Sequence, residues 1–330
     1  MKSRPEFYRK AVSDHMNAFL NSVQVFLQDG FMYSILAMGY FISYTTLDFP
    51  DLTVEGTVLS GGVVFALLVR AGVNPWLAML CSFIAGALLG SITGLLNVKL
   101  KIRPLLCGIL VSTGLISVNL VASVLGMGGD IKGEGALTTI PLGRTVPNIF
   151  REFPANLIPE KVGDVPLRKL IVFFAVAVIF KIIMDLYLKT KNGLLLRAAG
   201  NNPQYVKMLA KDPGNMKILG LAVGNAYAAV SGALIVQSRA NVNQSMGIGM
   251  IVIGLASLII GLSVFGKVSF MKPTTKVIIG AVIYQACLVV ASLVGIPSSY
   301  NKLLMAVLFT LALVFSDIAG KKRGGARKNG

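Results

Sequence analysis

The residues able to carry acid–base, nucleophilic or metal chemistry are few. His15 is the only histidine, so no histidine pair exists to hold a transition metal, and the commonest general base for a nucleophile is missing from the apolar body of the chain. Its polar N-terminal surroundings give it a structural or surface role. Cys81, Cys107 and Cys287 all lie in apolar runs, where packing rather than a disulfide framework is expected. The stretch GLSVFGKV, from Gly261 to Val268, comes within one residue of the phosphate-binding pattern G-x-x-x-x-G-K-[ST]. That pattern needs a final hydroxyl to hold magnesium and a strand before it; here Val268 ends it and an apolar span precedes it. Nucleotide binding, enzymatic activity and a resident cofactor or metal are therefore not expected. Any use of ATP must belong to a partner.

One ionisable cluster remains. The stretch SYTTLDFPDLTVEGTVLSGG, from Ser43 to Gly62, interrupts apolar sequence with Pro50, Gly56 and the acids Asp48, Asp51 and Glu55. Non-helical backbone at membrane depth is tolerated only where protein or a water-filled cavity surrounds it, and ionisable groups there are candidates for a transport path. The plainer reading is a turn in which Asp51 caps the next helix and Thr53 and Glu55 occupy its first turn. Asp51, Thr53, Glu55 and Gly56 are the candidate path residues, and the two readings can hold for different members.

The elements that must position this cluster follow from composition. Of 330 residues, 55% are hydrophobic and 14% charged, with a mean hydropathy of +0.74, against about 25% charged in soluble domains. Long apolar runs, rather than alternating ten-residue segments, exclude an outer-membrane barrel. The expected fold is all-α, a polytopic transmembrane helix bundle with about nine spans, near 31–47, 53–70, 76–98, 105–125, 169–188, 216–238, 248–266, 276–295 and 303–318.

The net charge of +17 is distributed as a topology signal rather than as a nucleic-acid surface. Basic groups cluster at 99–103, 189–217, 267–276 and 321–328, between apolar spans, which marks cytoplasmic loops. The acid-containing stretch 126–168 reads as an outside loop. Alternation then places the N-terminus outside, against the preference of Lys2, Arg4, Arg9 and Lys10. Either a tenth, weakly apolar crossing precedes residue 31, or residues 1–30 form an amphipathic helix lying at the interface, and the second is favoured. The transmembrane body is 31–318, and 319–330 is a basic cytoplasmic tail.

Two further patterns bear on assembly. Gly86, Gly90 and Gly94 recur every fourth residue and put one face of the third span within reach of a neighbouring backbone. Packing within the chain is the first reading, and a seam with a second copy or a moving helix the alternative. In the basic segment 189–215, Asn202 before Pro203 starts a helix of roughly ten residues that Pro213 and Gly214 end. Tyr205, Met208 and Leu209 share one side of it, with Lys207 elsewhere. Such a ridge either fills a partner's groove or covers the chain's own cytoplasmic end.

The string of motifs resembles a known family. Asp51–Gly56 (D-L-T-V-E-G), the glycine-rich third span, the long outside loop and N-G-L-L-L-R-A-A-G-N-N-P at 192–203 come in order, followed by A-V-S-G-A-L at 229–234 and G-M-I-V-I-G-L-A-S-L-I-I-G at 249–261. This order resembles the permease subunit of bacterial ABC importers of the branched-chain amino acid and ribose type, over about residues 20–320. The subgroup it looks most like is associated with amino-acid uptake, in some cases tryptophan or tyrosine.

The resemblance implies a multi-pass protein of the bacterial inner membrane that dimerises with a second permease, homo- or heteromeric. Two cytoplasmic ATPase subunits and an extracytoplasmic substrate-binding protein would complete the importer. Gly200, Asn202, Pro203, Tyr205, Lys207, Met208 and Leu209 would form the ATPase-coupling element, and Asp51–Gly56 would mark a broken helix beside the path. Two departures stand out: the clear first hydrophobic span of many members is absent, and Leu262 follows I-I-G where members often carry an acid. A nucleoside or sugar importer and, further off, an ion-gradient-driven transporter are the alternatives. The latter needs charged groups in several spans, whose interiors here are nearly charge-free.

Overall fold

The computed structural model describes residues 4–129, 139–143, 146–159, 167–297 and 300–326, with backbone alone at 4–20, 301 and 315–326. Of the expected outside loop, 130–138, 144–145 and 160–166 therefore lie outside the described residues, as do the basic side chains at both termini and His15. The fold is an all-α bundle. Eight helical segments among the described residues are long and apolar enough to cross a membrane, the first being 21–46. The ninth expected span falls in α11 (Asn301–Ala326), which carries a shorter apolar stretch, Lys302–Val314.

The N-terminal reading needs correcting. Helix α1 (Arg4–Tyr40) runs without a break through the expected boundary at residue 30 and ends in a π-helical turn, Phe41–Thr46. Among the described residues one continuous helix covers 4–40, and its apolar, spanning part begins at 21. Gly30, at the expected boundary, lets the backbone approach Val282 of α10 (Pro273–Leu293).

Helix α8 (Pro213–Arg239) is the pillar of the bundle and the most buried of its spanning helices. Helix α2 (Thr53–Arg70), α3 (Pro75–Val98) and α1 pack on it. The glycine stripe of α3 is taken up inside the chain. A methyl group at Gly86 would lie 2.5 Å from the Ala229 side chain, one at Gly94 2.7 Å from the Ile218 backbone, and one at Gly90 would meet the Leu221 carbonyl. With lipid as solvent no hydrophobic drive holds helices together, so this close backbone approach is what binds α3 to α8.

The bundle has two chemically different ends. At one, β1 (Thr139–Pro141) pairs antiparallel with β2 (Asn241–Asn243), Arg70 Nη1 donates to the Pro141 carbonyl at 3.2 Å, and Trp76 Nε1 donates to that of Phe153 at 2.9 Å. The loop after α4 (Pro104–Gly126) is thereby held down on this loop end. At the basic end, Asp185 of α5 (Leu167–Tyr187) accepts from Lys181 (2.9 Å), Lys272 (3.0 Å) and Thr274 (2.6 Å), tying α5 to α10.

Gly90→Val should lower the apparent melting temperature of the detergent-solubilised protein, by about 1–3 kcal/mol of overpacking. Gly114→Val, at a position with nothing within 4 Å, should leave it unchanged.

Candidate functional site

Two spanning helices begin inside the bundle rather than at its face. After the π-helical turn the chain is non-helical from 47 to 52, and α2 starts at Thr53. Its start is level with Asn225 of α8, which at 1.5 Å per residue lies roughly 18 Å from the first residue of that helix. On the other side, the chain leaves β2 through a 3-10 turn, Gln244–Gly247, and reaches α9 (Met250–Val264) by way of Gly249 at φ 89°. Helix α9 is about 22 Å long, short of the roughly 30 Å of hydrocarbon, so the 3-10 turn dips into the bundle to complete the crossing.

The candidate path residues are assembled at this junction. Asp51 is buried, at 3% exposure. One carboxylate oxygen accepts from the Thr53 backbone N–H at 2.9 Å and the other from Asn225 Nδ2 at 2.6 Å. Asn225 in turn accepts from Thr57 Oγ1 at 2.8 Å, and the Thr53 hydroxyl bonds that of Thr93 on α3 at 2.8 Å. Asp51 thus caps a helix, as the turn reading has it, yet it does so in the interior. Glu55, half-buried, accepts the Gly249 N–H at 2.8 Å and so caps α9, while Gly247 lies on the Glu55 carbonyl. Gly56 lets α4 approach, with Leu115 and Ser112 against it. The carboxylates sit at the positive ends of two helix dipoles, where negative charge is favoured.

Members that the sequence reading did not assign complete the junction. Tyr40 is buried on Gly254 of α9, its hydroxyl has no hydrogen-bond partner, and it lies within electrostatic reach of Asp51 and Glu55. The buried Ser43 hydroxyl is also unpartnered. Asn225 was detectable in principle, since an amide in an otherwise apolar span has to find a partner.

The coupling candidates are at the basic end. The helix expected from Asn202 is α7 (Pro203–Met208), six residues rather than about ten, and α6 (Lys191–Asn201), which carries Gly200, precedes it. Asn202 caps α7 through the Gln204 N–H at 3.1 Å, Pro203 occupies its first position, and Ala210 at φ 54° ends the turn that follows. Val206 and Leu196 are buried, holding the pair to the bundle. Tyr205, Met208 and Leu209 are exposed, Met208 at 83%, and Lys207 is exposed too, so the ridge does not cover the chain's own end. Gly200 rests on the Thr46 carbonyl, the last residue of the π-helical turn. One continuous stretch therefore joins the exposed ridge to the buried junction.

Residues 23–313 match the family described as branched-chain amino acid transport system, permease component. The chain belongs to this permease family. The tyrosine transport system permease of Clostridioides difficile is 36% identical over 285 residues, which cover 86% of this chain and 88% of that one. A probable branched-chain amino acid transport permease of Methanocaldococcus jannaschii is 26% identical, covering 64% and 66%. A fructose import permease of Bifidobacterium longum is 23% identical, covering 62% and 52%. No solved structure matches. This permease is accordingly a multi-pass, non-enzymatic membrane component of an ABC importer in the bacterial inner membrane.

Asn225→Ala strips a partner from both Asp51 and Thr57 and should cost roughly 1–3 kcal/mol, read as a lowered melting temperature. In a double-mutant cycle with Asp51→Ala the two losses should be non-additive by about 0.5–3 kcal/mol; additivity would separate the two residues.

Proposed function

We propose that this permease carries an amino acid across the membrane, delivered by an extracytoplasmic binding protein, within a dimer of permease subunits driven by two cytoplasmic ATPase subunits. ATP is consumed by those partners, and the permease holds no cofactor. The observation that carries the transport reading is the meeting of two interrupted helices, α2 and α9, at mid-height beside Asp51, Glu55 and Tyr40. Interrupted helices let backbone and ionisable groups face a solute at membrane depth while their remaining hydrogen bonds stay satisfied. The amino-acid class rests on the tyrosine permease and the branched-chain permease among the relatives. The fructose permease gives the sugar reading its support.

Alternating access follows from the layout. The basic end faces the cytoplasm by the positive-inside rule. The ridge of Tyr205, Met208 and Leu209 seats in a groove of the ATPase, and ATP-driven movement of α6 and α7 reaches the π-helical turn through Gly200 and Thr46. There it shifts the segment carrying Asp51. The binding protein supplies most of the substrate selectivity, leaving the permease to pass what it is given.

Purification from native membranes should recover an ATPase with the wild-type permease and lose it with the Tyr205→Ala/Met208→Ala double variant, both being equally abundant and monodisperse. Equal recovery from both would place the ATPase contact outside this ridge. Uptake of L-tyrosine or L-leucine by the reconstituted importer, against none of D-fructose or D-ribose, would decide the substrate class.

A further inference from the structure

A cavity of about 550 Å³ opens at the loop end between α1, α8, α9 and α11, separate from the Asp51 junction. Its size falls in the range of sites for small molecules. Its chemistry is divided. The floor is apolar and buried, built by Ile235, Met250 and Ile253. Its rim is polar and exposed, with Arg239, Lys302 and Asn243. Tyr33 lines the wall and is buried; its hydroxyl accepts from Arg239 Nη2 at 3.0 Å, which holds the guanidinium over the opening and leaves the phenol a proton to donate. Asp29, one turn earlier on α1, is within electrostatic reach of both Arg239 and Tyr33.

We infer that this cavity is a binding site for an α-amino acid with an apolar or aromatic side chain, held by its carboxylate on Arg239 and Lys302. The inference rests on the amino-acid reading above and gives it a location. A guanidinium backed by a fixed hydroxyl presents paired donors to a carboxylate, a geometry that a sugar's hydroxyls do not use. The methionine and isoleucine floor accepts an apolar side chain, and methionine adapts to more than one shape. A bare inorganic anion would use the rim and leave the floor empty.

The site's position suits a staging point on the way inward. The stretch from Asn243 to Met250 lines one side of the cavity, and the same stretch places Gly247 and Gly249 against Glu55. The next residue after Ile253, Gly254, carries Tyr40. The cavity floor is thus the roof of the mid-height junction. A solute seated above bears directly on the segment that caps α9.

Saturation-transfer NMR on the full-length permease in lipid nanodiscs, with L-tyrosine, L-leucine, tyramine and D-ribose as probes, tests this. The two amino acids should give signals, tyramine and ribose none. Arg239→Gln should weaken the amino-acid signals at least tenfold, and Arg239→Lys should restore part of them. Ile253→Trp, which fills the floor and leaves every charge in place, should also abolish them, with unchanged melting temperature certifying the fold. Absent amino-acid signals, or signals indifferent to both Arg239→Gln and Ile253→Trp, overturn the site. Equal signals from tyramine overturn the carboxylate role. The reconstituted importer separates this from the function itself: amino-acid uptake at wild-type rate by Arg239→Gln rejects the cavity and keeps the function, whereas uptake of sugars alone rejects both.

Discussion

Every backbone N–H and C=O inside a bundle bathed in hydrocarbon must find a partner within the protein. Whole helices meet that demand unaided, but a helix that starts at mid-height presents its first N–H groups to the interior with nothing to accept them. Two helices here do so, and both are answered by carboxylates. Asp51 accepts from the start of α2 and Glu55 from the start of α9. Because Glu55 itself lies in the first turn of α2, the first interruption positions the cap for the second. The junction is one interlocked unit, anchored to the pillar helix through Asn225.

That arrangement explains why the acids survive in a region where charge is costly. Burying a carboxylate is tolerable only when it is fully hydrogen-bonded. Asp51 is bonded through both oxygens, so it belongs to the architecture as much as to a path. Glu55 is half-buried, and the unpartnered hydroxyls of Tyr40 and Ser43 lie in the same region of the bundle. The reading of the segment as either turn or path therefore divides by residue: Asp51 and Thr53 hold the junction, while Glu55, with Tyr40, has hydrogen-bonding capacity to spare for a solute.

The membrane class and eight of the nine expected spans were legible because each depends on local signals. Long apolar runs, basic clusters between them, and Asn202–Pro203 followed by Pro213–Gly214 act over a few residues. The partners of the junction were not legible, since Asp51 and Asn225 are 174 positions apart and nothing in either neighbourhood names the other. The boundary at residue 30 failed for a related reason. The stretch before residue 31 is only weakly apolar, and its continuation into the bundle depends on the distant approach of Gly30 to Val282. The helix expected after Asn202 is α7, cut to six residues where Ala210 turns left-handed, while α6 lies before Asn202 and is held to the bundle by Leu196 and Ala199.

Rigidity is unevenly distributed, and the distribution fits the proposed motion. The glycines of α2, α3 and α8 itself bring backbones together, with Gly61 on Ala229, Gly232 on Val58 and Gly90 on Leu221. Close-packed interfaces of this kind behave as one body and do not deform gradually. The start of α9 is held differently, by one hydrogen bond to Glu55 and a left-handed Gly249 with open space beside it. The end of α1 is a π-helical turn, a geometry that already departs from the regular ladder. The two places where the chain can yield at modest cost are thus the ones that border the junction, one touching the coupling loop at Gly200 and the other forming the cavity floor. A push from the cytoplasmic end and a solute from the opposite end would meet at the same pair of helix starts, while α8 holds the frame against which they move.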